Sequence, residues 1–328
     1  MMKGFIAVNR KKRAALMPVE DVFSFDARAG IMVVADGVTR DCKNGTAARR
    51  DLNTVLHYPR LSLARRAANL FCSGFREGLR DVLDADERIV RGAFKVGNER
   101  IEEEWRQRGV ECDYLKNDFP GCVAAGAVLR EDVVHWGYIC DAGVAVLKPN
   151  GDLAFRTPDE SPHRLDRFIW GDERLRGKTW ADSETRRIIR RDYRNKPLEE
   201  YSFGVLTGEA EAAYYVRTGT RAIKPDDYVL VYTDGVSEIM FGEDKDLRGK
   251  FVDKFRERDW SGLRKLSERK VHSEGTLVYA SRGQKSPMFE HARDRVIGQG
   301  RFPISKAQFP FGCLTPEEYD SSYSPPFL

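Results

Sequence analysis

Ile31-Met32-Val33-Val34-Ala35-Asp36-Gly37 and Tyr228-Val229-Leu230-Val231-Tyr232-Thr233-Asp234-Gly235 are two apolar runs, rich in β-branched residues, that both end in Asp-Gly. Each reads as a buried strand. The Asp then stands where the chain leaves the sheet, where a rigid scaffold can hold a carboxylate at the edge of a cleft. A tight hairpin would also end a strand in Asp-Gly, but it needs a second strand at once. After Asp36-Gly37 comes the uneven polar stretch Thr39-Arg40-Asp41-Cys42-Lys43-Asn44, and after Asp234-Gly235 comes Val236-Ser237-Glu238-Ile239-Met240, which reads as a helical turn.

The chain has 328 residues, enough for one large domain or two smaller ones. A hydrophobic fraction of 41% beside a charged fraction of 32% fits an ordinary globular protein. The net charge of +4 is nearly balanced and makes no general case for nucleic acid. No apolar run reaches membrane-spanning length, and the N-terminal run is too short for a signal peptide. Six scattered cysteines without a CxxC pair point to reduced thiols in a cytoplasmic protein. The five histidines are dispersed too, so a metal would have to be a hard cation held by carboxylates.

Outward from the two Asp-Gly runs, strands are expected at 5–8, 19–25, 122–129, 133–140, 144–147, 153–155, 201–206, 214–217 and 276–280. Helical spacing covers 61–82, 89–105 and 247–266, the last broken near Asp259-Gly262. The basic run Asn9–Arg13 should turn outward. Residues 156–198 interrupt the pattern with prolines and charge. Within them Ser183–Arg194 reads as a basic helix, either a solvated face or a lure for acidic substrate. Strands and helices come in blocks rather than βαβ alternation, which predicts an α+β layered fold with mainly antiparallel sheets.

Glu20, Asp21, Asp36, Asp141, Asp234 and Glu238 all fall at or beside expected strand ends. Carboxylates converging without basic partners repel one another. Oxygen ligands of this kind suit Mg²⁺ or Mn²⁺, and two such ions would activate a water for in-line attack on phosphorus.

In order along residues 4–280, these segments resemble the PPM family, the metal-dependent type 2C serine/threonine protein phosphatases. Val19-Glu20-Asp21-Val22-Phe23 is similar to the family's Glu-Asp motif and Val33–Val38 to its first Asp-Gly motif. Gly121–Ala125 is similar to its small-residue strand. Ile139–Leu147 matches its Gly-Asp-Ser-Arg strand through Asp141 alone. Asp227–Glu238 is the nearest match, in its bacterial form Thr-Asp-Gly-Val-x-Glu.

The resemblance implies a four-layer α-β-β-α sandwich, two mainly antiparallel sheets flanked by helices, over residues 1–280. Residues 156–198 would be the flap insertion and 281–328 a C-terminal extension. It implies phosphomonoester hydrolysis on phosphoserine or phosphothreonine proteins by a metal-bridging hydroxide, with Mn²⁺ or Mg²⁺ as two ions and a third, weaker one. Asp21, Asp36 and Asp234 would be ligands, Glu20 would act through water, Gly37 through its carbonyl, and Asp141 and Glu238 at the third ion. The expected partner is a phosphorylated protein, with no membrane or nucleic acid, and the expected state a monomer.

Three positions depart from the family pattern. Ser273 stands at the usual final Asp, leaving Glu274 to reach the metal. Leu16 stands at the phosphate-binding Arg, leaving Arg13 or Arg40 for that role. Val38 replaces a His of the eukaryotic members. Ser273, Leu16 and the unusual tail motivate a second reading: a pseudophosphatase that has kept the fold as a regulatory binding module.

Overall fold

The computed structural model describes residues 2–14, 18–38, 62–80, 82, 84–109, 119–179, 182–199 and 201–281. In chain order its elements are β1 (Met2–Val8), α1 (Arg10–Ala14), β2 (Val22–Asp26), β3 (Ile31–Val38), α2 (Leu63–Glu77), α3 (Glu87–Gln107), β4 (Gly121–Arg130), β5 (Val133–Ile139), β6 (Gly143–Leu147), β7 (Leu153–Arg156), α4 (Asp166–Ile169), α5 (Ser183–Tyr193), β8 (Arg217–Ala222), β9 (Tyr228–Tyr232), α6 (Asp234–Phe241), α7 (Lys245–Arg256), α8 (Trp260–Lys270) and β10 (Glu274–Ser281). The strands form two five-stranded antiparallel sheets, ordered β1-β10-β9-β6-β7 and β2-β3-β4-β5-β8.

The two-residue period of a strand explains the layers. In β3, Met32 and Val34 join Val229, Val231 and Val278 in a core between the sheets. The alternate residues Ile31, Val33 and Ala35 pack outward against Ala67, Phe71 and Phe75 of α2 and Phe94 of α3. On the other sheet, Tyr228, Leu230 and Tyr232 face outward onto Ile239, Phe251, Phe255 and Leu263 of α6, α7 and α8. Both faces of β3 and β9 are thus covered, which is why these runs are continuously apolar. The four-layer sandwich is the one expected.

The helices start where side-chain caps allow. Ser62, Asp86, Asp244 and Asp259 accept backbone N–H groups of the first turns of α2, α3, α7 and α8. Asp259 is also the break expected in the 247–266 helix.

Two local expectations need correction. Residues 201–206 and 214–216 do not form strands, and β8 begins only at Arg217. Phe203 and Leu206 make only isolated bridges, to Arg194 and Cys122, and residues 210–215 form a 3₁₀ turn before β8. Their aromatic content serves packing instead: Phe203 and Val205 join Ile169, Leu175 and Ile189 in a small core under the insertion. The run Asn9–Arg13 does not simply turn outward. It folds into α1, and Lys12 is buried.

The arginines of α5 are not a freely solvated face either. Arg191 pairs with Asp192 at 2.6 Å, and the buried Arg194 just beyond the helix donates to the Phe119 carbonyl at 3.0 Å. Residues 282–328 of the expected extension, together with Leu16 and Arg40, lie outside the described residues.

Candidate metal centre

Alternation also places the acids. Asp36 follows Met32 and Val34 on the inner face of β3, and Glu274 shares the parity of Val278 and Ala280 on β10. Asp21 lies one residue before β2, whose Val22 pairs with Ala35. The ladder continues past that pair, because the Gly37 N–H donates to the Glu20 carbonyl at 3.3 Å. Asp21, Asp36 and Glu274 therefore meet between the two sheets at one end, with one carboxylate oxygen of each within 4.8 Å of the other two.

Hydroxyls tie this group across the sandwich. Thr233 and Thr276 both donate to Asp21 Oδ2, at 2.9 and 2.6 Å. The Thr276 N–H donates to Thr233 Oγ1 at 2.8 Å, so the ends of β9 and β10 are latched together under Asp21. Behind it, Glu20 is buried, accepts the Ser62 hydroxyl at 2.8 Å, and donates its N–H to both oxygens of Glu274 at 3.0 and 3.2 Å. Ser62 thus has two duties, capping α2 and binding Glu20. Ser62→Ala removes the cap and strips a buried carboxylate of a donor. Urea unfolding should show a loss of about 1–2 kcal/mol.

Of the remaining predicted residues, Asp234 and Asp141 act on Asp36. Asp234 stands at the start of α6 with much of the residue accessible, but its carboxyl group is turned into the crowded acidic site, and its charge bears on Asp36. Asp141 follows Cys140, whose φ of 66° is left-handed; this is the position of the resembled motif's first Gly, where such a turn is least strained. Asp141 Oδ1 is buried and accepts no hydrogen bond from the described residues. Glu238 shares a cleft of about 250 Å³ with Asp141 and with Asp159, which sequence reasoning passed over. Gly37 is buried beside Asp36. Arg13 is half exposed and held by Glu268 at 2.8 Å.

Among the described residues, the cation that touches the trio is Lys12. Its Nζ lies 2.6 Å from Glu274 Oε1, with both side chains almost fully buried. Nothing in the basic run Arg10–Arg13 singles it out. The only sequence signal is helical spacing from Asn9, which sends one of four consecutive basic residues inward.

Electrostatics follow from the geometry. Burial pushes the Asp21 carboxyl up to about 7, the Glu274 charge adds to this, and the Thr276 and Thr233 hydroxyls act against it. Asp36 is raised well above the carboxylate range by burial and then by Asp21, Asp234, Glu274 and Asp141. Asp141 is lifted to about 7 by burial and by Asp234. Asp234 is raised by burial, with Glu274 and Glu238 contributing and the Gly235 N–H opposing.

A carboxyl whose folded pKa lies above its unfolded value disfavours the folded state at high pH, and that penalty disappears as pH falls through the folded pKa. The metal-free protein should therefore melt several degrees higher near pH 5.5 than near pH 8, as calorimetry would show. A protein whose carboxylates have ordinary or lowered pKa values would change little over that interval and lose stability only below about pH 5.

No protein-family model matches the sequence, and no curated protein matches it. Solved structures do. The catalytic domain of the serine/threonine protein phosphatase PstP, in complex with two manganese ions, superposes with a TM-score of 0.53 at 17% identity, over 86% of this chain and 97% of that one. PstP/Ppp from Mycobacterium tuberculosis gives 0.55 at 15%, over 87% and 98%. The chain has the PPM phosphatase fold. A bacterial serine phosphatase agrees, with a TM-score of 0.55 at 11% identity over 87% of this chain and 99% of that one. Within the PPM fold of this chain, the acidic trio occupies the end of the sandwich where β3, β9 and β10 terminate or begin.

Its donor set suits a divalent cation: it offers oxygen atoms only, and burial and neighbouring carboxylates raise the pKa of Asp21 and Asp36; nearby, Asp141 presents a buried oxygen that accepts no hydrogen bond from the described residues. Among the described residues no helix is long and apolar enough to cross a membrane.

Proposed function

We propose that the protein is a Mg²⁺- or Mn²⁺-dependent phosphomonoester hydrolase acting on phosphoserine or phosphothreonine in proteins. The observation that supports it most is the convergence of Asp21, Asp36 and Glu274 from three separated parts of the chain, with Asp234 and Asp141 acting on Asp36. The names of the structural relatives, serine/threonine phosphatases, support the substrate class.

Asp21, Asp36 and Asp234 are the side chains proposed to hold the metal, with the Gly37 carbonyl beside Asp36. Asp141, which acts on Asp36, and Glu238 line a neighbouring cleft. Bound at Asp21, Asp36 and Asp234, a divalent cation supplies Lewis-acid charge for the phosphate oxygens and a more acidic water. The chain's own contribution is to fix the carboxylates before substrate arrives. The two threonine hydroxyls orient Asp21, and the Glu20 N–H orients Glu274. The apolar strands around the trio keep the local dielectric low, which strengthens each of these interactions.

The test is hydrolysis of p-nitrophenyl phosphate and of a phosphothreonine peptide with added Mn²⁺, before and after EDTA. The reading expects turnover that EDTA removes and Mn²⁺ restores; turnover that survives chelation sinks it. The buried Lys12–Glu274 pair favours one second reading, a regulatory binding module without turnover. That reading expects a cooperative melt and no hydrolysis of either substrate at any Mn²⁺ concentration.

A further inference from the structure

We propose that Lys12 is a built-in cation that takes the place of one of two divalent ions, so that this centre binds a single Mn²⁺ or Mg²⁺ between Asp21 and Asp36. The inference rests on the metal-dependent reading above but concerns the ion count, not turnover.

The position of Lys12 is constructed, not incidental. Asn9 donates its side-chain N–H to the Val271 carbonyl at 2.8 Å and its backbone N–H to the Ser273 carbonyl at 2.8 Å. It also accepts the Lys11 N–H at 2.7 Å, which starts α1. The helix is therefore fastened to the same three-residue connection that delivers Glu274 into β10. Along α1, Arg10, Lys11 and Arg13 remain exposed or half exposed, and Lys12 alone turns inward. Its ammonium meets Glu274 Oε1 at 2.6 Å, with side chains only 6% and 7% exposed.

Glu274 is consequently in use from two sides. Lys12 holds Oε1, and the Glu20 N–H donates to both oxygens. A carboxylate that neutralises a buried ammonium has little charge left to offer a metal, and an ammonium a few ångströms from the trio repels a second divalent cation. Among the described residues Asp21 and Asp36 have no such basic partner: Asp21 receives two neutral hydroxyls, and Asp36 sets an oxygen within 4.8 Å of carboxylate oxygens of Asp21 and Glu274. The unneutralised charge of the trio therefore sits on those two residues. That is enough for one hard cation with an open coordination sphere.

A tethered ammonium cannot replace a metal's Lewis acidity, but it can supply fixed positive charge beside a phosphate.

The test is calorimetric titration of the full chain with MnCl₂, combined with electron paramagnetic resonance of the bound ion and a thermal melt of each variant. The wild type should bind one Mn²⁺ with the hyperfine-resolved signal of an isolated ion. Lys12→Met should bind a second, with the broadened signal of a coupled pair, while Lys12→Arg should stay at one. Two ions in the wild type overturn the proposal, as does a folded Lys12→Met that still binds one. If Lys12→Met does not fold, the wild-type count decides by itself. Absence of Mn²⁺ binding in the folded wild type overturns this proposal and the metal-dependent reading together. A wild type that binds one ion yet hydrolyses nothing overturns only the enzymatic reading.

Discussion

Asp36→Asn is expected to abolish phosphomonoester hydrolysis while raising the melting temperature of the metal-free protein. Asp36 sits at the centre of the acidic group, with Asp21, Asp234, Glu274 and Asp141 all raising its pKa. As a proposed ligand, its loss should lower kcat/KM by at least about 10³-fold, on the order of 4 kcal/mol of transition-state stabilisation. Mn²⁺ affinity measured by calorimetry should fall with it. Asn is nearly isosteric but carries no charge. Without metal, the substitution removes the group that most of the surrounding charge opposes, so the melt near pH 8 should rise by roughly 3–8 °C. The gain should shrink toward pH 5.5, where protonation already does the same work in the wild type. A variant that loses activity and stability together would mean that Asp36 is a structural residue.

Gly235→Ala should be strongly destabilising although Gly235 has an ordinary backbone conformation. A Cβ there would lie 2.0 Å from the Glu274 carbonyl oxygen and 2.9 Å from its carbonyl carbon. Neither is the end of a flexible side chain, so β10 must shift where it begins. The expected cost is about 3 kcal/mol or more, read from chemical denaturation. Because the shift falls on Glu274, the Lys12–Glu274 contact and Mn²⁺ binding should change with it. Gly37 is constrained in the same way: its Cβ would lie 2.6 Å from the Ala64 carbonyl carbon at the start of α2. In both Asp-Gly pairs the glycine is required by close backbone approach, not by a hairpin turn.

This explains why those pairs were legible and what they meant. An apolar run ending in Asp-Gly signals a buried strand with an acid at its end, and both strands are there. The hairpin alternative fails because neither glycine is left-handed and each lets another element pass against the chain. Helices α2, α3, α7 and α8 were legible from spacing and caps, since one apolar stripe and one polar first turn suffice to define them. Glu274 was reachable as an acid at a strand start, and the structure brings it into the trio.

The rest depends on tertiary context. Lys12 looks like its neighbours until Asn9 fastens α1 to the connection before β10. Thr233 and Thr276 are unremarkable strand residues until both hydroxyls meet Asp21, more than two hundred residues away. Residues 201–216 carry strand-like aromatics, but Phe203 and Val205 are claimed by the core of the insertion and Leu206 and Val216 by the core against α2 and α3 instead of a ladder. Long-range pairings of this kind leave no local pattern to read.

The central claim is that the carboxylates of Asp21 and Asp36 hold a divalent cation between the sheets. Anomalous scattering at the manganese edge, from a crystal soaked in MnCl₂, tests it most directly. The account predicts a peak within coordination distance of both carboxylates. Ordered Asp21 and Asp36 side chains with no peak between them would contradict it.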